Sequence, residues 1–207
     1  MKTLTAVLAA TAALTALAGA PAQAGGAHGS AFGVAAKGVV AIAPTPYVKS
    51  STAETVTKAL VKLPPNALLS ASVNEVAASR HHAKAALADV VVGRLGLRAT
   101  AVTASCDNGT GGAALADVAL GAAEIPLYPK PNSGIVVPLG ALGKAEVVLN
   151  RQVRLPGGGI SVTAIQVSVV LAGTITQTID IASVTCAGAP RLARPPKAVV
   201  GDLVVAG

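Results

Sequence analysis

The clearest pattern in the chain lies at Lys144–Leu155, KAEVVLNRQVRL. Ala145, Val147, Leu149, Val153 and Leu155 alternate with Lys144, Glu146, Asn150, Gln152 and Arg154, and only Val148 and Arg151 break the alternation. A period of two with one apolar and one polar face predicts a strand of an antiparallel sheet, packed on one side and wet on the other.

Two further apolar stretches follow the glycine turn Pro156–Gly159. They are Ile160–Leu171 and Thr174–Cys186, separated only by Ala172-Gly173. A two-residue connection between alternating stretches predicts a β-hairpin. Within the second stretch Ile175, Ile179 and Ile181 share one phase, and Val184 and Cys186 take the other. A bulge near Ala182 would reconcile them.

Earlier segments are β-like too. Leu97–Cys106 is rich in Thr and small apolar residues, and DNGTGG at Asp107–Gly112 is a turn signal. Ala31–Ile42 predicts a strand with Phe32, Val34, Val40 and Ile42 in phase. Ala43–Asn66, with four prolines, suggests a long surface connection containing extended pieces, and Ile125–Gly134 a proline-rich loop. The sum predicts an all-β fold, an antiparallel β-sandwich of short strands in a single domain.

One stretch resists this reading. Residues 74–92 contain good helix formers, and Leu87, Val90, Val91 and Arg94 fall at helical spacing, so a short helix is expected there. The hexapeptide AALADV occurs inside it, at Ala85–Val90, and again at Ala113–Val118. Each copy has a glycine at the same later offset, Gly93 and Gly121. That pattern suits two short sheet elements, with Asp89 and Asp117 at similar solvent-facing places.

The N-terminus changes the picture of where the protein works. Lys2 precedes an uncharged apolar run, Leu4–Leu17, and Ala22-Gln23-Ala24 before Gly25 has the A-x-A form of a signal cleavage site. The expected organisation is a signal peptide at 1–24, a flexible leader at 25–30, a β-rich domain at 31–188 and a proline-rich, basic tail at 189–207. No later run is long enough to span a bilayer. A secreted, extracellular protein is expected, with loose association to a cell wall as an option.

Composition narrows function. Hydrophobic residues make up 52% of the chain but aromatics only 1%. The core must therefore be built from Ala, Val, Leu and Ile. Base-stacking platforms need aromatic faces, so no nucleic-acid partner is expected. Aromatic sugar clefts are disfavoured for the same reason. The net charge is +7, and the densest basic group is Arg191, Arg194 and Lys197. These are candidate contacts for an anion such as a wall polymer. Another surface protein is the other partner considered.

Cys106 and Cys186 are the only cysteines, and in an oxidising compartment they are expected to pair. Such a bond would contribute roughly 2–4 kcal/mol. Neither has a His or a further Cys at ligand spacing, so no metal and no cofactor are expected. There is no G-x-S-x-G, no H-E-x-x-H, no P-loop and no D-x-D loop. The carboxylates are dispersed. Asn108-Gly109-Thr110 has the form of a glycosylation sequon but suits a plain turn better. No catalytic residue is assigned. The expected role is a non-enzymatic structural or interaction module. The alternatives are a secreted hydrolase with a spatially assembled site using His81 or His82, and an electrostatic binder of anionic wall polymers.

From Ala31 to Gly188 the chain resembles the choice-of-anchor P family of secreted actinobacterial proteins. The similarity rests on AFGVAAKGVVAIAPTP, RATAVTASC before a Gly/Thr loop, VVLNRQ before a glycine turn, GISVTAIQVSVV and IASVTC. It implies an extracellular β-rich domain of undefined role. The Cys106–Cys186 pairing fits the two cysteine-bearing strands of that pattern. Members often carry a C-terminal anchor, and none is recognisable after Cys186. The resemblance implies no catalytic residues.

Overall fold

A computed structural model describes residues 28–62, 69–140 and 143–189. The signal segment with Ala22, Ala24 and Gly25, and the tail cations Arg191, Arg194 and Lys197, lie outside the described residues.

The strands run in chain order as β1 (Gly29–Gly38), β2 (Ile42–Ser50), β3 (Val56–Lys62), β4 (Ser70–Ala78), β5 (His82–Val92), β6 (Leu97–Asp107), β7 (Thr110–Ala116), β8 (Ala119–Leu120), β9 (Ala123–Glu124), β10 (Ser133–Pro138), β11 (Lys144–Arg154), β12 (Ile160–Leu171) and β13 (Thr174–Cys186). They form two antiparallel sheets. One has the order β10-β11-β12-β13-β1-β2, and the other β3-β4-β5-β6-β8-β9 with β7 also paired to β6. β12, β13 and β1 pack across β4–β7, so the protein is an all-β sandwich, as expected. Its core is aliphatic, with Leu87, Leu115, Leu149, Ile165, Ile179 and Ile181 among its largest fully buried side chains.

No helix forms at residues 74–92. The segment is instead a hairpin of β4 and β5, joined by a tight turn in which Ser79 N–H donates to His82 O at 2.7 Å. The reason is tertiary. Ala83, Ala85, Leu87, Val90 and Val92 are buried against the other sheet, while His82, Lys84 and Asp89 are exposed. That two-sided burial outweighs the weak helix preference of an alanine-rich run.

Two other boundaries differ from expectation. The leader ends sooner, because Gly29 and Ser30 already pair with Ser50 and Lys49 in β1–β2. A Cβ on Gly29 would collide with the Ser79 carbonyl, so this strand start requires glycine. The expected surface connection at 43–66 is largely β2 and β3, the edge strands on one side of the sandwich. Its prolines Pro44 and Pro46 sit on an edge strand, where a missing N–H costs no internal ladder bond.

The Ala172-Gly173 hairpin connection forms as expected. Ala172 and Gly173 have φ of 48° and 80°, the positive values that a two-residue hairpin turn needs. Ala182 also has a positive φ, 51°, and burial changes phase there: Ile179 and Ile181 are inside before it, and Val184 and Cys186 after it. The pairing does not slip, however. Ile181 stays opposite Ile165 and Ser183 opposite Thr163. The anticipated bulge is therefore a change of phase with no inserted residue.

The change is shared across the sheet. The flanking pairs place Ala182 across from Ala164 and Gly33, Ala164 across from Asn150, and Gly33 across from Pro46. Asn132 N–H donates to Asn150 O at 2.9 Å, and Asn132 and Asn150 have φ of 58° and 49°. Asn132, Asn150, Ala164, Ala182, Gly33 and Pro46 thus form one transverse crease. A Cβ on Gly33 would lie 2.6 Å from Val73 Cγ2, so at this line the sheet approaches its partner too closely for a side chain.

Candidate functional site

The residues with catalytic potential collect at one end of the sandwich, where the β4–β5, β6–β7 and β11–β12 turns meet the end of β13. Asn108 and Gly109 have φ of 49° and 80°, so the DNGT segment is the tight hairpin turn its sequence predicts. Asn108 N–H donates to His81 O at 2.8 Å, and Ala189 N–H to Asn108 O at 3.2 Å. The Asn108 amide donates to Asp107 Oδ1, and Arg154 Nη1 donates to Gly109 O at 2.6 Å. A Cβ on Gly109 would strike the Gly158 carbonyl. The turns are thus seated directly on one another.

Cys106 and Cys186 are bonded beside these turns, with Cα atoms 6.1 Å apart. The disulfide ties the end of β6 in one sheet to the end of β13 in the other. Both cysteines are buried.

The two histidines separate, as adjacent residues on extended backbone do. His82 is directly opposite Asp107, and its Nδ1 lies 3.1 Å from Asp107 Oδ1. Both side chains are largely solvent-exposed, at 63% and 61%. Ser79 is buried and exchanges its hydrogen bonds with the His82 backbone, which closes the turn. His81 is half-buried, and its buried Nδ1 meets no hydrogen-bond partner among the described residues. This end therefore pairs an imidazole with a carboxylate on open surface.

A concavity of about 660 Å³ lies beside the later copy of the repeat, lined by Asp117, Val118, Gly121, Glu124, Ile125 and Leu127 among others. The Asp117 carboxylate already accepts from the Thr100 hydroxyl at 2.8 Å. Among the described residues, no group of three or more His, Cys, Asp or Glu side chains could hold a metal ion.

The outer face of the six-stranded sheet carries a feature not read from the sequence. Phe32 does not share the inward phase of Val34. It stands opposite Tyr47 on the outer face, while Ala31 and Gly33 face the core. Thr163 and Ser183, next in the same cross-strand row, have hydroxyls 3.0 Å apart. The sequence signal was partial: a phase read from Ala31 turns Phe32 outward, but Val34 and Ala36 are also buried, because the strand reverses at Gly33.

The fold and these surfaces define a disulfide-stapled, all-β sandwich. Among the described residues no helix is long and apolar enough to cross a membrane. Comparison with protein-family models, with curated proteins and with solved structures finds no match to this chain.

Proposed function

We propose that the protein is a secreted, non-enzymatic interaction or structural module of the extracellular space or cell surface. The carrying observation is the setting of its most enzyme-like pair. His82 and Asp107 stand more than half exposed on a rigid rim of turns, with the nearby Ser79 hydroxyl committed to the turn backbone. General-base chemistry gains its strength from a positioned, water-excluding site, which an open rim does not provide. A cross-sheet disulfide, the kind of bond an oxidising compartment favours, supports the extracellular assignment.

The test is fractionation of a culture expressing the chain. The expected result is a protein in the medium or wall fraction, starting at Gly25 by N-terminal sequencing. Retention in the cytoplasm with an intact N-terminus would overturn the reading.

A second reading, hydrolysis, draws on the 3.1 Å His82–Asp107 contact, which is the geometry of a base and its orienting carboxylate. It requires that turnover of an ester or peptide substrate by the purified protein be lost in His82→Ala. Equal turnover by wild type and variant would remove it.

A further inference from the structure

The chain has one Phe and two Tyr, and none of them is a core residue. Tyr128 is 73% exposed and Tyr47 is 41% exposed. Phe32 is half-buried. Two of these three rings are direct cross-strand neighbours, Phe32 on β1 and Tyr47 on β2. Aromatic residues that do not pack the core but sit together on a face are characteristic of contact surfaces.

The row they begin crosses five strands: Tyr47, Phe32, Ser183, Thr163 and Arg151. The next row on the same face holds Lys49, Ser30, Thr185, Ser161 and Val153. Thr185 Oγ1 donates to Ser161 Oγ at 3.3 Å. Thr163 and Ser183 are only 4% and 7% exposed despite facing outward, so their hydroxyls form a floor between Arg151 and the aromatic pair. From strand geometry the rows lie about 7 Å apart and span roughly 19 Å.

Charge is distributed unevenly on this face. The two rows contain the cations Arg151 and Lys49 and no carboxylate. The acidic groups Glu146 and Asp180 lie on the other side of the crease. Glu146 pairs with Lys144 at 2.7 Å, and Asp180 accepts from Gln166 at 2.7 Å.

We propose that this half of the outer face binds an extended anionic polysaccharide. The Phe32 and Tyr47 rings offer apolar surface to sugar C–H groups, and Tyr47 adds a phenolic hydroxyl. The half-buried Ser30, Ser161 and Thr185 exchange hydrogen bonds with sugar hydroxyls, while the buried Thr163 and Ser183 stay bonded to each other beneath the surface. Arg151 and Lys49, at the two margins, hold phosphate or carboxylate groups along the chain. The inference rests on the extracellular-module reading and names its partner class.

The test measures binding of the purified chain to phosphorylated dextran and to carboxymethyl-dextran. Unmodified dextran, polyglutamate and single-stranded DNA serve as comparisons. Tighter binding to one or both anionic dextrans than to every comparison is expected, and the preferred dextran tells phosphate from carboxylate. Tyr47→Ala and Arg151→Gln should each weaken it at least about fivefold. Lys58→Gln, an equal loss of charge on β3, should change it by no more than about twofold. Equal binding of polyglutamate or DNA, equal loss in Lys58→Gln, or no binding to either anionic dextran would overturn the proposal. Secretion of the protein is read separately, so a face that fails this test leaves the extracellular assignment standing.

Discussion

Asp89 and Asp117 stand at the same level on opposite sides of Thr100, each with left-handed backbone. Their φ angles are 51° and 47°. β6 separates the two copies of AALADV, and its residues pair with both: Ala104 with Ala85 and Ala113, Val102 with Leu87 and Leu115, Ala101 with Ala88 and Ala116. The leucines are buried and the aspartates exposed in each copy. The repeated hexapeptide is thus one local solution used twice: an inward Leu, then an Asp that takes the positive φ and lets the strand change phase. Asp tolerates this conformation better than most residues.

Substitution at these positions should follow backbone conformation rather than side-chain chemistry. Asp89→Gly should fold with little loss, while Asp89→Val should lose about 1–2 kcal/mol or more, because a β-branched residue opposes positive φ. Urea denaturation of both variants checks this. Equal stability of Gly and Val variants would refute the backbone account.

Ala182 offers the reverse experiment. It is fully buried with φ of 51°, so Ala182→Gly relieves backbone strain that ordinarily disfavours alanine there. The expected result is a gain or no loss in melting temperature. Glycine elsewhere in a strand should cost about 0.5–1 kcal/mol, and Ala164→Gly on the neighbouring strand is the matched control.

Gly33→Ala should be severe. The new methyl would sit 2.6 Å from Val73 Cγ2 and 2.9 Å from the Thr45 carbonyl, and backbone cannot yield as a side chain can. A loss of about 1–3 kcal/mol is expected, read from the denaturation midpoint. Partial rescue by Val73→Ala would show that the clash is the cause.

The Cys106–Cys186 bond joins the two sheets and closes 80 residues. Replacing both cysteines by Ala should cost about 2–4 kcal/mol. Intact mass under denaturing, non-reducing conditions should show no alkylated thiol, and two after reduction.

His82 and Asp107 should matter little to stability. Both are mostly exposed, and surface pairs of this kind contribute roughly 0–1 kcal/mol. His82→Ala should therefore shift the unfolding midpoint only slightly, while Leu149→Ala, in the core, should cost about 2–5 kcal/mol.

Much of the fold was legible wherever one face of a strand is wet. Lys144–Leu149 alternates plainly because Lys144 and Glu146 reach solvent, and the strand was placed where β11 lies, but the reversal at Asn150, which turns Val153 outward, was not legible in the alternation. The turns at Ala172-Gly173 and Asn108-Gly109 were legible because only small or Asn-like residues accept their dihedrals. Residues 74–92 misled because alanine favours a helix locally, and only packing against β1 and β13 reveals the strand. Residues 43–66 misled because prolines were taken as connection signals, although an edge strand accommodates them. The outer-face row was hidden for a different reason. Tyr47, Phe32, Ser183, Thr163 and Arg151 are scattered over more than a hundred positions, and only the strand order brings them side by side.

The transverse crease makes strand length a shared property of the six-stranded sheet. β11, β12, β13, β1 and β2 reverse their inward phase at the same line, and β10 begins beside it, so one residue gained or lost between the crease and a strand end moves only that short arm. The same change at the crease would set one strand's reversal out of step with both neighbours, turning Ile181 or Ile165 away from the core and a Ser or Thr into it. Variation in length should therefore be accepted at the hairpin tips and rejected along the line from Asn132 to Pro46, however mild the residue concerned.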